Sequence, residues 1–406
     1  MMSGRTTARR AAALLAWCAL VTGASAVVTT PAVAAVPTGT MSAGTVTDGR
    51  SLLYVNNPDS LRNTDLAEAG RSISGHHLTA GGVYRAYFAH VNRTSPAVSL
   101  HYGIRLTNGR STATVVTRTR SVWRAGAAGI GGAALADFFN GSENTTITVP
   151  GQGQAWLYRS DQLGSGLPAA VNQYLVGAAD FTTTGTLVAE VLAWSTSLPT
   201  GGSYTYPGYA IDLRDGQAQH RFDKGLSPIS AATLTITSTL HTGKVEDQLL
   251  SATAGGNTAC PTNSYANTGW ATNLNHLLNA GALGGDLVSL TTPEGPLVTP
   301  CVNSPFGGGK PNLRNWGVGY TVQLTVDNQS YAPRTLALVA SGIGGAVNVA
   351  YRPPGGTTWQ SALVGDLASF TWATVTAPPG LSTFTASFAV SGPGPAGLLH
   401  RLRTTG

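Results

Sequence analysis

Charged side chains are scarce in this sequence: Asp, Glu, Lys and Arg make up 10% of its 406 residues. Nucleic-acid binding usually needs a dense basic face, and no cluster of Lys and Arg with interleaved aromatic residues occurs. After the N-terminal segment there is no run of 18 or more apolar residues, so no membrane-spanning helix is predicted. The sequence therefore gives no support for nucleic acid as a partner or for a membrane span.

Cysteine is also scarce, with Cys18, Cys260 and Cys301 as the only three. Cys18 belongs to the export segment described below, which leaves an even pair. Such a pair in an exported protein favours a disulfide, and closing a loop of this length stabilises a fold by about 4 kcal/mol. A zinc site would need two more ligands. We therefore predict a disulfide between Cys260 and Cys301, and no metal.

The sequence patterns of common enzymes are missing. It has no G-x-S-x-G, H-E-x-x-H, P-loop, EF-hand loop or dinucleotide-binding G-x-G-x-x-G. A glycoside hydrolase needs two acids across a cleft. The nearest pairs in sequence, Asp212 with Asp215 and Asp286 with Glu294, have no distinctive setting. No catalytic residue and no cofactor is predicted.

An export signal is present at the N-terminus. Arg5, Arg9 and Arg10 precede a short apolar run, and Ala24-Ser25-Ala26 supplies the small residues of a cleavage site. We predict a signal peptide over residues 1–26, with cleavage after Ala34 as the alternative, and a secreted protein. The signal holds three of the 24 basic residues and none of the 18 acids, so the net charge falls from +6 to +3.

Period-two alternation dominates the rest of the chain, and helical patterning is almost absent. Two stretches share one plan: apolar residues alternate up to Asn108 and again up to Asn328, and a second extended run follows each after a short polar segment. Alternation of this kind is typical of half-buried strands, and the polar segments have turn chemistry. We interpret both stretches as hairpins. The only helix-like segment of the first half is 131–140.

The alternation predicts an all-β protein of two β-sandwich domains, immunoglobulin-like or jelly-roll-like. A flexible lead-in over residues 27–44 precedes domain 1 at 45–200. Periodicity stops in a Pro- and Gly-rich boundary, and domain 2 covers 208–406. Within it, residues 242–313 form an insertion that the predicted disulfide closes into a loop.

The insertion contains the best candidate binding residues, Tyr265, Trp270, Asn273 and His276, among several other asparagines. An aromatic ring with amide side chains around it can bind neutral polar ligands such as sugars, because the ring stacks on the sugar and the amides form hydrogen bonds with it. The alternative is that Trp270 plugs the base of the loop while the asparagines form turns.

Four histidines, His76, His77, His90 and His101, fall within 26 residues. Neutral imidazoles on neighbouring strands can ligate a metal. However, His90 shares a strand face with Phe88, whereas His101 alternates out of phase with its apolar neighbours and should face solvent. We therefore expect no shared metal site.

Several stretches resemble a secreted family of unassigned function that is known chiefly from cyanobacteria, with similar exported proteins in Gram-positive bacteria. The stretches are LYVNNPDSL, YRAYFAHVN, the strand from Tyr102 to Asn108, AGAAGIGGAALADFF, and RNWGVGYTVQLTVDN from Arg314. The resemblance implies a two-part, β-rich exported protein and no activity. The insertion around Cys260 and Cys301 is where this chain departs most from the family.

The predicted function is a secreted, non-catalytic binding or surface-associated protein whose partner is an extracellular polysaccharide or cell-envelope polymer. One alternative is a secreted polysaccharide hydrolase with a site between the domains, and another is a structural matrix or surface component. A hydrolase needs two acids or a Ser/His/Asp cluster at bonding distance, whereas a binding module needs an accessible aromatic residue.

Overall fold

The computed structural model describes residues 39–46, 49–56, 58–125, 129–161, 168–195, 210–211, 224–227, 230–242, 247–252, 301–302, 310–311, 316–343, 345–366, 368–392 and 397–404. All of them belong to one compact unit, Val36–Gly406. Among them, no helix is long and apolar enough to cross a membrane.

The described residues form 25 strands, one α-helix, α1 (Ile130–Asn140), and two short 3-10 turns, Asn63–Asp65 and Ala67–Ala69. The strands are β1 (Gly39–Val46), β2 (Arg50–Val55), β3 (Ser60–Leu61), β4 (Arg71–Ser72), β5 (Ser74–Leu78), β6 (Val83–Asn92), β7 (His101–Asn108), β8 (Ala113–Ala125), β9 (Thr145–Val149), β10 (Gly153–Arg159), β11 (Tyr174–Thr183), β12 (Leu187–Trp194), β13 (Ala210–Ile211), β14 (Lys224–Ser227), β15 (Ala231–Leu240), β16 (Asp247–Ala252), β17 (Cys301–Val302), β18 (Lys310–Pro311), β19 (Gly319–Asn328), β20 (Arg334–Ile343), β21 (Val347–Arg352), β22 (Gln360–Val364), β23 (Ser369–Ala377), β24 (Gly380–Ser391) and β25 (Gly397–Thr404).

Three large sheets contain most of these strands. One has ten strands in the order β22-β21-β24-β19-β15-β1-β16-β25-β20-β23, one has seven, built on the path β14-β2-β6-β11-β8-β9 with β3 beside β6, and one has four in the order β10-β7-β12-β5. The prediction of an all-β protein is confirmed. The predicted lead-in, 27–44, runs into a strand, because β1 begins at Gly39 and pairs with β15 and β16. The domain bounds 45–200 and 208–406 stay predictions.

The seven-stranded and four-stranded sheets enclose one core, and period-two alternation decides which side chains enter it. On β6, Tyr84, Ala86 and Phe88 belong to this core. Tyr87 and Ala89, which point to the opposite face of β6, belong to a second core that is formed with α1 and the ten-stranded sheet. Strand β6 is therefore buried on both faces, and the second core contains residues from both predicted domains.

Helix α1 packs its backbone directly against the ten-stranded sheet because its first turn carries glycines. A Cβ at Gly131 would lie 1.7 Å from the carbonyl oxygen of Gly392, and one at Gly132 would lie 2.6 Å from that of Val349. At its last turn, the Asn140 amide exchanges two hydrogen bonds with the backbone of Trp359, at 2.7 and 2.8 Å. The predicted helix at 131–140 is confirmed.

A buried arginine joins the two cores. The Nε and Nη2 atoms of Arg85 donate to the two carboxylate oxygens of Asp180 at 2.8 and 2.9 Å. Nη1 of Arg85 donates to the carbonyl oxygen of Ser230 at 3.1 Å, and the guanidinium carbon lies 5.1 Å from the centre of the Phe138 ring. One side chain thus ties β6 and β11 to the segment before β15.

The two predicted hairpins are wrong. β7 pairs with β10 and β12 in the four-stranded sheet, whereas β8 pairs with β9 and β11 in the seven-stranded sheet. β19 and β20 likewise have no partner in common: β19 lies between β15 and β24, and β20 lies between β23 and β25. Each stretch is an arch between strands that do not pair.

A buried asparagine lies at the start of each of the two arches and another at the end of β6, and we call these residues the asparagine corners: Asn92, Asn108 and Asn328. In each, Oδ1 accepts a hydrogen bond from the backbone N–H two residues later. Each Nδ2 donates to a carbonyl a few residues further on and to one in another strand or loop. The side chain replaces the ladder hydrogen bonds that a chain leaving its sheet gives up.

Replacing Asn328 with alanine is expected to lower the free energy of unfolding by about 3 kcal/mol, because buried groups without hydrogen bonds cost about 1–3 kcal/mol each. Asn328→Asp should also destabilise, because a carboxylate cannot donate to the carbonyl oxygens of Ala332 and Ala377. Urea unfolding measures both. The neighbouring exposed Gln329→Ala is the control, and equal effects at the two positions would contradict the role of the corner.

Candidate functional site

The outer face of the four-stranded sheet gathers aromatic and charged side chains. Strand register places Arg105 opposite both Trp156 and Glu190, and His101 opposite Trp194. Opposed residues share a face in an antiparallel pair. On β12 this face is out of phase with Val191 and Ala193, which enter the core. Three strands thus bring distant parts of the sequence together on one surface.

We call Trp156, Trp194, His101 and Arg159 the tryptophan patch. The Trp156 and Trp194 rings are tilted with centres 5.4 Å apart, and His101 stacks on Trp194 at 5.7 Å. Trp194 is 2% exposed, whereas Trp156 and His101 are partly exposed. Trp194 therefore anchors the patch, and part of the Trp156 side chain is accessible to solvent.

Because Gly103 has no side chain, the Trp156 indole can pack closely against the sheet at that position. A Cβ at Gly103 would be 2.8 Å from the Trp156 ring, closer than two carbon atoms can approach without a shift. Leu192 and Ala67 complete the apolar floor next to Trp194. The ring is held by packing, so it is preorganised for a partner that stacks against it.

An ion pair joins Arg159 of the patch to Asp161. The Arg159 Nε donates to Oδ1 of Asp161 at 2.9 Å, and the guanidinium carbon lies 5.9 Å from the centre of the Trp156 ring. The hydrogen bond from Arg159 holds the pKa of Asp161 below its usual value, with a smaller contribution from the charges of Arg159 and His101. Asp161 is therefore an acceptor at neutral pH and is unsuited to act as a general acid.

A second ion pair, between Arg105 and Glu190, lies in the same sheet with both side chains almost fully buried. The Arg105 Nε–Glu190 Oε2 distance is 3.1 Å. Breaking a buried ion pair is costly, because the remaining charge is left without its partner. This pair links β7 to β12, and Arg105 is the residue opposite Trp156 on β10.

The candidate site predicted from the insertion cannot be compared with this patch. Tyr265, Trp270, Asn273 and His276 lie outside the described residues, as does Cys260. The backbone of Cys301 lies in β17, opposite Pro311. The predicted binding residues and the predicted disulfide stay predictions.

The four histidines lie on two different faces. His90 is buried, with Nδ1 2.7 Å from the carbonyl oxygen of Pro58 and Nε2 3.1 Å from the Tyr102 hydroxyl, and it stacks on Phe88. His76 is buried and the adjacent His77 exposed, while His101 belongs to the tryptophan patch. Within the described ranges, no group of three or more His, Cys, Asp or Glu residues is placed to hold a metal ion.

Sequence reasoning missed the tryptophan patch, although a signal was present. In LVAEVLAW, Glu190 and Trp194 alternate in phase with each other and out of phase with Ala189, Val191 and Ala193. A tryptophan and an acid at the strand positions that point away from the core indicate that the outer face of the sheet carries aromatic and charged side chains. Pairing with β7 and β10, which adds Trp156 and His101, is not readable from that pattern.

Fold and site together define an all-β protein with a preorganised, partly exposed tryptophan patch on a sheet face. No protein-family model matches the chain, and no curated protein matches it. Among solved structures it is similar to Lac15 from a marine microbial metagenome, with 11% identity over 88% of this chain and a TM-score of 0.15. The chain spans 63% of the length of Lac15.

Two further structures have the same degree of similarity. The CUB1-EGF-CUB2 domains of human MASP-1/3 are 9% identical over 82% of this chain and 99% of that chain, with a TM-score of 0.17. A multicopper oxidase from Campylobacter jejuni is 8% identical over 76% of this chain and 48% of that chain, with a TM-score of 0.11. Similarity at this level carries no inference about function.

Proposed function

We propose that this protein is a secreted, non-catalytic binding protein whose partner is a glycan of the extracellular space or cell envelope, held at the tryptophan patch. The observation that supports the proposal is the partly exposed Trp156 indole, fixed by Gly103 and Trp194 and bordered by hydrogen-bonding side chains. Export through a signal peptide over residues 1–26, two β-sandwich domains and a Cys260–Cys301 disulfide belong to the same proposal.

The chemistry of the patch suits a neutral polar ring. The C–H face of a sugar packs on an indole, while hydroxyl groups at its edge need donors and acceptors. Arg159 supplies donors beside Trp156, and the ionised Asp161 supplies acceptors. Because Arg159 and Asp161 are already paired, they lose little side-chain entropy when a ligand binds.

The same geometry argues against hydrolysis at this surface. Glu190 is buried in its ion pair with Arg105, and the pKa of Asp161 is lowered rather than raised. Retaining and inverting glycosidases both need a carboxyl group whose pKa is raised so that it donates a proton. The acids considered for a hydrolase, Asp212, Asp215, Asp286 and Glu294, lie outside the described residues.

Trp156→Ala is expected to weaken glycan binding at least about tenfold, because losing one aromatic anchor costs about 1.4 kcal/mol or more. Binding is measured by affinity electrophoresis of the secreted protein against purified cell-wall and plant polysaccharides. Tyr331→Ala is the matched control, since Tyr331 is 95% exposed in the loop between β19 and β20, outside the patch.

Trp270→Ala provides the third arm of this experiment. Loss of binding in Trp270→Ala with retention in Trp156→Ala would place the glycan site in the insertion and reject the patch. Failure of the unmodified protein to bind any polysaccharide of the panel would reject the proposed function.

A further inference from the structure

A stack of two arginines and two aromatic rings begins at a buried arginine and ends at a partly exposed one, and we call it the arginine stack: Arg85, Phe139, Trp359 and Arg352. The guanidinium carbon of Arg85 lies 5.2 Å from the centre of the Phe139 ring. The Phe139 and Trp359 rings are stacked with their centres 4.1 Å apart. The guanidinium carbon of Arg352 lies 5.9 Å from the centre of the Trp359 ring. Successive members are therefore within the range of ring stacking or cation–π attraction.

The two ends of the stack differ in how their charge is balanced. Arg85 is paired with the carboxylate of Asp180. Arg352, in contrast, forms no ion pair with any residue that the structure describes, and its Nη2 donates one hydrogen bond, to Oγ of Ser387 at 3.1 Å. A guanidinium has five N–H donors. Arg352 therefore has a positive charge and several donors left for a ligand.

The position of Arg352 is held from two sides. The hydrogen bond to Ser387 crosses from β21 to β24, where the two residues are directly opposite. On the other side lies the Trp359 ring, whose own backbone exchanges two hydrogen bonds with the amide of Asn140 at the end of α1. A side chain that is already positioned loses less entropy when a ligand binds.

Neutral hydrogen-bonding groups lie beside this charge. Thr321 is opposite Ser387, and Gln323 is opposite Thr385. Residues two apart on a strand point to the same face, so Thr321, Gln323 and Thr385 share the face of Arg352. All three are exposed, and their hydroxyl and amide groups both donate and accept hydrogen bonds. The surface thus combines one cation with uncharged polar groups.

We propose that Arg352 binds the carboxylate of an acidic sugar, as in a polysaccharide of uronic acids. The planar fork of a guanidinium matches a carboxylate through two parallel hydrogen bonds. One cation suits the single charge of a carboxylate, whereas phosphate groups are usually bound by clusters of arginines. The neutral side chains nearby suit the hydroxyl groups of the same sugar ring. This site is separate from the tryptophan patch and does not rest on the function proposed for that patch.

The test is affinity electrophoresis of the full-length protein in gels that contain polygalacturonate, its methyl ester, or dextran. Polygalacturonate should retard the unmodified protein most, because only it carries free carboxylates. Arg352→Met should weaken this binding about tenfold or more, and Arg352→Lys, which keeps the charge without the fork, should have an intermediate effect. Arg110→Met is the matched control, since it removes the same charge at an exposed arginine between β7 and β8.

Competition on the unmodified protein tests the proposal without any substitution: free galacturonate should release it from polygalacturonate, and inorganic phosphate at equal ionic strength should not. Thermal unfolding shows whether each variant is folded. Equal retardation by the methyl ester, an equal loss of binding in Arg110→Met and Arg352→Met, or release by phosphate alone would overturn the proposal. Trp156→Ala should bind polygalacturonate as the unmodified protein does, so failure of the tryptophan patch and failure of this site are distinguishable.

Discussion

Arg85→Ala should lower the free energy of unfolding by about 3–5 kcal/mol, because it removes the more deeply buried of the two arginines that pair with Asp180. The change removes both hydrogen bonds to Asp180 and the hydrogen bond to the carbonyl oxygen of Ser230. It also removes the contact of the guanidinium with Phe138. Chemical denaturation monitored by circular dichroism measures the effect.

Two further variants make this prediction specific. Arg50 also pairs with Asp180 but is more exposed, so Arg50→Ala should cost less than Arg85→Ala. Replacing both partners, as Arg85→Met with Asp180→Leu, should cost less than Arg85→Ala alone, since the buried carboxylate is removed together with the buried guanidinium and only the more exposed Arg50 loses a partner. An Arg85→Ala variant as stable as Arg50→Ala would show that the buried contacts contribute little.

Gly131→Ala is expected to destabilise the fold by about 3 kcal/mol or more, beyond the usual range for overpacking. The added methyl carbon would lie 1.7 Å from the carbonyl oxygen of Gly392, a backbone atom of the residue directly after β24. Helix propensity alone predicts the opposite sign, because alanine is favoured over glycine in a helix by about 1 kcal/mol. Thermal unfolding therefore distinguishes the two effects: a steric clash lowers the melting temperature, whereas helix propensity alone would raise it.

Gly319→Ala is the control for this prediction. A Cβ at Gly319 would meet its nearest neighbour, an atom of the Phe139 ring, at 3.4 Å, which is an ordinary contact. Its effect should be small. Stabilisation by Gly131→Ala would contradict the close approach of α1 to the ten-stranded sheet.

Strand faces were predictable from the sequence because the side-chain period of a strand is local. The alternation around Phe88 and His90 predicted a shared face, and the two rings stack in the structure. It also predicted that His101 faces outward, where it is partly exposed and joins the tryptophan patch. The helix at 131–140 was predictable because its pattern departs from that alternation.

Strand partners were not predictable, because alternation carries no information about pairing. The short polar segment after Asn108 has the length and composition of a hairpin turn, yet the Asn108 side chain donates to the carbonyl oxygen of Val149, in a third strand. The tryptophan patch was missed for the same reason: Trp156 and Trp194 are distant in sequence and meet only through the register of β7, β10 and β12.

The position of β1 has a consequence for the order in which the molecule folds. β1 is the first described strand, yet it lies between β15 and β16, with Met41 opposite Ile236. The middle of the ten-stranded sheet therefore cannot close until the chain beyond residue 250 has been synthesised. Pairings of such long sequence separation slow folding, so β1 should be among the last of the described strands to acquire its native neighbours.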